Sequence, residues 1–90
     1  MEFLGNVEYI GKDAFKGHRE LSSLKFHGSV RVIGDNAFED CSKLTEIILP
    51  EGLDSIGTFT FYCYYNDKPS EITQVSLPLS LKYIGKYAFE

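Results

Sequence analysis

The side chains with the widest chemical range in this 90-residue chain are two cysteines and two histidines: Cys41, Cys63, His18 and His27. A thiol can act as nucleophile, disulfide partner or soft metal ligand, and an imidazole as base or ligand. Spacing decides among these roles. Cys41 lies three residues after Phe38, His18 three after Phe15, and Cys63 two after Phe61. Segments stacked in register would bring His18, Cys41 and Cys63 together, and three arrangements then compete. Buried free thiols can pack as small hydrophobes. A Cys41–Cys63 disulfide needs a Cα separation of about 4.4–6.8 Å, which neighbouring stacked segments supply. A zinc site is the least favoured, because C-x2-C and H-x3-H spacings are absent and no fourth ligand is evident.

Nothing else in the chain has the pattern of a catalytic centre. The serines occur in no nucleophile-elbow context. The acidic residues form no evident buried pair that could divide acid and base roles. The glycines are evenly spaced rather than gathered into a phosphate-binding loop. The expectation is a non-enzyme that needs no cofactor. A net charge of −4, with Lys and Arg scattered singly, argues against a nucleic-acid partner. No segment approaches the ~18 apolar residues of a membrane span. The start, MEFLGNVEYIG, has neither the basic residues nor the apolar run of a signal peptide, so a signal for export would lie outside this chain.

Recognition is a different chemistry, and it concentrates in the stretch FTFYCYYNDKPSE, Phe59 to Glu71. Its role follows from what surrounds it. Ile-Gly pairs fall at Ile10-Gly11, Ile33-Gly34 and Ile56-Gly57, 23 residues apart, and a fourth at Ile84-Gly85 follows after 28. Four residues beyond each glycine stands Phe15, Phe38, Phe61 or Phe89, preceded by Ala14, Ala37, Thr60 or Ala88. Then come Leu21 and Leu44; Leu24-x-Phe26, Ile47-x-Leu49 and Val75-x-Leu77; and Val30, Leu53 and Leu81. The unit reads I-G-x-x-A-F-x-x-C-x-x-L-x-x-I-x-L-P-x-x-L-x-x, and the third copy fits once five residues are inserted within 62–71.

Each part of the unit has a physical reading. Leu24-Lys25-Phe26, Ile47-Ile48-Leu49 and Val75-Ser76-Leu77 are short strands, two residues in and one out. Pro50 and Pro78 stop two of them, and His27 stands at that position in the earlier copy. The glycines after Ile turn the chain where a side chain would clash or φ is unfavourable. Asp13-Ala14-Phe15-Lys16 and Asn36-Ala37-Phe38-Glu39 read as single helical turns opened by a capping Asp or Asn. One such unit cannot bury its apolar side alone, so copies must stack around a continuous core. The expected fold class is α/β but beta-rich: a single solenoid over residues 1–90, of about 3.5 repeats of 23 residues, with parallel strands and single helical turns.

Leu44-x-x-Ile47-x-Leu49 also fits the L-x-x-L-x-L core of leucine-rich repeats, and the whole unit resembles the BspA-like, or Treponema-type, subfamily. In one departure no asparagine ladder follows the strand; Gly52 stands there. The resemblance implies a curved, right-handed leucine-rich-repeat solenoid, often part of a large cell-surface or secreted adhesin-like protein that binds host or extracellular-matrix proteins. Two other placements stay open: an intracellular scaffold, and a substrate-recognition segment of a larger enzyme.

Three surfaces are candidates for such contacts. Outward positions on the main strand are Ser23 and Lys25, Glu46 and Ile48, Gln74 and Ser76; Ile48, the apolar one, is either an ordinary exposed hydrophobe, the commoner case, or a contact anchor. Tyr62, Tyr64 and Tyr65 belong to the inserted stretch, where they either contact a partner or fold back over the solenoid edge. A column of Glu8, Arg31, Asp54 and Lys82 alternates in sign and would help to hold register. Neither end of the chain carries a distinct polar cap, so the chain reads as a fragment of a longer array or a very short protein with exposed ends, and end-to-end self-association or marginal stability as a monomer is expected.

Overall fold

The computed structural model describes residues 2–63 and 71–89. Within it the chain winds through two parallel sheets, and each winding gives one strand to each. The first sheet takes β1 (Glu2–Phe3), β3 (Ser23–Phe26), β5 (Glu46–Ile48) and β7 (Gln74–Ser76), in that order. The second takes β2 (Val7–Ile10), β4 (Val30–Ile33), β6 (Ser55–Ile56) and β8 (Tyr83–Ile84). Register follows the sequence period: Leu24 pairs with Ile47 and Ile33 with Ile56, while Ile47 pairs with Val75 and Ile56 with Ile84, five residues further on.

The second sheet was not expected from the sequence. Its strands read VEYI and VRVI, with burial running inner, outer, outer, inner. That pattern has no strict period of two, because two outward or part-covered residues separate the inner ones. Alternation is the signal by which a half-buried strand is recognised, and here it is lost.

The helical turns require correction. No helix occurs among the described residues; 12–17 and 35–40 are runs of hydrogen-bonded turns. Their amides alternate between two uses. Ala14, Lys16 and His18 donate locally to Gly11, Asp13 and Phe15. Asp13, Phe15 and Gly17 donate instead to Asp35, Ala37 and Glu39 of the next winding, at 2.8–3.0 Å. A helix would keep every one of these donors within its own segment. The turn therefore acts as a third ladder between windings.

Asp13 and Asn36 are not caps. Both hold a left-handed conformation, at φ 60°, as do Phe59 at 57° and Tyr87 at 59°. Asp and Asn tolerate that region better than other side chains, and so serve the turn as readily as they would a cap. Phe59 and Tyr87 do not tolerate it well, and their rings lie 5.2 Å apart.

Between the ladders lies one core. Phe15, Phe38, Phe61 and Phe89 stack at centroid distances of 5.2, 5.5 and 5.2 Å with nearly parallel planes. Leu24, Ile33, Ile47, Leu53 and Ile56 are fully buried around them. Thr60 replaces the repeat's alanine without leaving a polar group unsatisfied, since its hydroxyl reaches the Gly57 and Gly34 carbonyls at 2.7 and 3.1 Å.

The Ile-Gly glycines are explained by close approach, not by φ. A Cβ on Gly34 would come 2.9 Å from the Ile10 carbonyl oxygen, and one on Gly85 2.5 Å from Gly57 C and Thr58 N. Gly34, Gly57 and Gly85 each face the backbone of the preceding winding, whereas a Cβ on Gly11 would meet only the Tyr9 ring at 3.7 Å.

Candidate functional site

Strand alternation sorts the first sheet into an inner and an outer side. Leu24 and Ile47 point into the core, which leaves Ser23, Lys25, Glu46 and Ile48 outside. Ser23, Glu46 and Gln74 form one row across β3, β5 and β7. Glu2 with Lys25, and Ile48 with Ser76, are the paired positions of the second row. Neighbouring strands set these side chains about 4.8 Å apart. Ser23 and Glu46 are half-buried; Lys25, Gln74 and Ser76 are exposed, and Ile48 is 42% exposed. The strand backbone is committed to the ladder, so recognition on this face falls to the side chains.

Tyr62 is not part of a looped-out segment. Its carbonyl accepts from the Asp40 amide at 2.8 Å, in step with the turn ladder, and its ring meets Phe59 edge-on at 5.1 Å. Tyr64 and Tyr65 lie outside the described residues.

Sequence reasoning missed a patch on the second sheet. Tyr9 and Tyr83 stand 58% and 59% exposed at its two edges, with Val32 and Ser55 between them. With Lys12 and Asp35 they border a pocket of about 330 Å³. The aromatic at the third position of VEYI could have pointed there, had the strand been recognised.

The charged column is partly assembled. Arg31 donates to the Asp54 carboxylate at 3.0 Å. This hydrogen bond, the charge of Asp54 and then that of Glu8 raise the Arg31 pKa.

Of the three arrangements open to the thiols, Cys41 and Cys63 take the first: both are buried, with no disulfide between them. Among the described residues no group of His, Cys, Asp and Glu is placed to hold a metal ion. His18 is exposed, its ring edge-on to Phe15 at 5.7 Å. Burial is the main cause that pushes the Cys41 pKa from 9.0 up to about 11, and the Cys41 thiol donates to the Phe15 carbonyl at 3.5 Å. The folded state therefore holds a proton that the unfolded chain gives up more readily. This contribution to stability is complete below pH 9 and is lost as pH rises through 11. Urea midpoints are expected to fall between pH 8.5 and pH 10.5, and the fall should be smaller in Cys41→Ala. An equal fall in both would remove Cys41 as its source.

Two parallel sheets, a turn ladder and in-register columns define a repeat solenoid, a protein built by stacking one supersecondary unit. The chain belongs to the BspA type leucine rich repeat family, whose repeat region matches in 6 copies over residues 1–90. No curated protein and no solved structure matches the chain.

Proposed function

We propose that this chain is a non-catalytic protein-interaction module of an adhesin-like protein, surface-borne or secreted, that holds a host or extracellular-matrix protein on the outer face of its first sheet. The observation that carries this reading is Ile48. It is an exposed aliphatic side chain between polar rows, flanked by Lys25 and Ser76 with Glu46 beside it. An apolar anchor inside a charged and hydroxylated surround is how a compact protein contact is built. Membership of the leucine rich repeat family supports the same reading.

The test is binding of the chain to a panel of immobilised matrix proteins. Ile48→Asp is expected to weaken binding by about tenfold or more without changing the melting curve, and Tyr83→Ser to leave it unchanged. Equal binding by Ile48→Asp would remove this face. Protection of the chain from protease on intact source cells would remove the adhesin role.

A further inference from the structure

The row Tyr9, Val32, Ser55, Tyr83 runs across the four strands of the second sheet, on its outer side. The residues at its ends are large and those in its middle are small. The row is therefore a trough, with a floor over β4 and β6 between two exposed tyrosines. Three strand spacings, about 14 Å, separate the walls. Lys12 and Asp35 stand at one rim, and the pocket they border with the row holds about 330 Å³. Floor and walls are neighbours within the chain: a winding added at either end would sit behind a tyrosine, not between the two. The trough also lies on a different sheet from the face assigned above to protein contact. We propose that it binds a neutral oligosaccharide, laid across β4 and β6 with a sugar ring against each tyrosine.

The lining is unsuited to other occupants. A peptide added as a strand needs free backbone at a sheet edge. β4 and β6 are interior strands, each paired on both sides, so the floor offers side chains only. A phosphate or other anion needs amides or several cations aimed at it. Gly34 N and Gly57 N are committed to the Ile10 and Ile33 carbonyls, and Lys12 is balanced by the carboxylate of Asp35. A wholly apolar ligand would cover the Ser55 hydroxyl without giving it a partner.

A sugar has what the lining asks for. Its ring carries C–H faces that pack on aromatic rings and on Val32, and hydroxyls that both donate and accept. Lys12 brings donors only, Asp35 acceptors only and Ser55 both, so hydroxyl groups can pair with all three. Asp35 already accepts from the Thr58 amide at 2.8 Å. That bond fixes the carboxylate in place and leaves acceptor capacity, since a carboxylate takes about four such bonds. The Tyr9 ring lies over Gly11, its Cε2 3.7 Å from where a Cβ would stand, which sets the wall beside Lys12 at the rim.

The test is titration of the chain with the hexasaccharides of glucose, mannose, xylose and N-acetylglucosamine, followed by saturation-transfer NMR and amide chemical shifts. At least one should bind with a Kd of about 1 mM or tighter. The shifts should gather on Val32, Gly34, Ser55 and Gly57 and spare Lys25 and Glu46. Tyr9→Ala and Tyr83→Ala should each weaken binding by about tenfold or more. Both side chains lie outside the core, so the melting curve should not change. Ile48→Asp should leave sugar binding intact, which separates the trough from the first-sheet contact. Affinity should hold between about 50 and 500 mM salt, because charge plays little part in it. Failure of all four hexasaccharides to bind, shifts on the first sheet instead, or binding that survives loss of both tyrosines would each overturn the inference. So would binding that falls with salt and is matched by inorganic phosphate.

Discussion

Phe38→Ala is expected to destabilise the fold by about 3–5 kcal/mol, a large share of the roughly 5–15 kcal/mol that holds a domain folded. The ring is 1% exposed and lies between Phe15 at 5.2 Å and Phe61 at 5.5 Å, so its loss leaves a gap in the middle of the stack. Neighbouring windings are fixed by two strand ladders and a turn ladder and cannot close onto the gap without breaking them. Removing the ring also takes away two offset-stacked aromatic contacts. The same change at Phe15 or Phe89 should cost less, because both are half-buried before anything is removed. Urea denaturation of the three alanine variants gives the comparison. Equal losses along the stack, or a loss below about 1 kcal/mol at Phe38, would mean that the phenylalanines do not form the central support.

Gly57→Ala should be nearly as damaging for the opposite reason, an added atom. The new Cβ would fall 2.5 Å from the Asp35 amide nitrogen and 2.8 Å from its Cα, and closer still to its carboxylate. A flexible side chain could move aside, but backbone held in a ladder cannot. The Asp35 carboxylate is itself engaged, accepting from the Thr58 amide at 2.8 Å. Forcing the two windings apart should cost about 3 kcal/mol, the upper part of the usual range for overpacking. Gly11→Ala provides the control, since its Cβ would make only ordinary contact with the Tyr9 ring at 3.7 Å and should leave stability within about 0.5 kcal/mol. Measured at low concentration, a small effect at Gly57 or a large one at Gly11 would contradict the close-approach explanation of the Ile-Gly pair.

The stacking was legible in the sequence because each winding must present the same apolar side chain to the same column. Ile10, Ile33, Ile56 and Ile84, and the phenylalanines that follow them, announce that demand directly. What failed was the reading of segments whose signals serve two structures. Asp13 and Asn36 mark a helix start by their capping ability and a left-handed turn by their tolerance of positive φ, and only the destination of the neighbouring amides separates the two. β2 and β4 were hidden because their burial does not alternate strictly along the strand. The outer rows of the first sheet were readable because Leu24-x-Phe26 and Ile47-x-Leu49 keep that alternation. Tyr9 and Tyr83 were passed over because their strands were. Cys41 was placed correctly beside a repeat phenylalanine, but the choice among free thiol, disulfide and metal ligand depends on angles and distances that spacing does not contain.

The chain pairs Ile33 with Ile56 across 23 residues and Ile56 with Ile84 across 28, and both β6 and β8 stay in register. Sequence separation is thus uncoupled from position in the stack between Cys63 and Ile72. The entropy of closing a longer connection grows only with the logarithm of its length. That connection is therefore an entry port: a stretch of sequence whose length evolution or an engineer can change while the strands on either side keep their pairing.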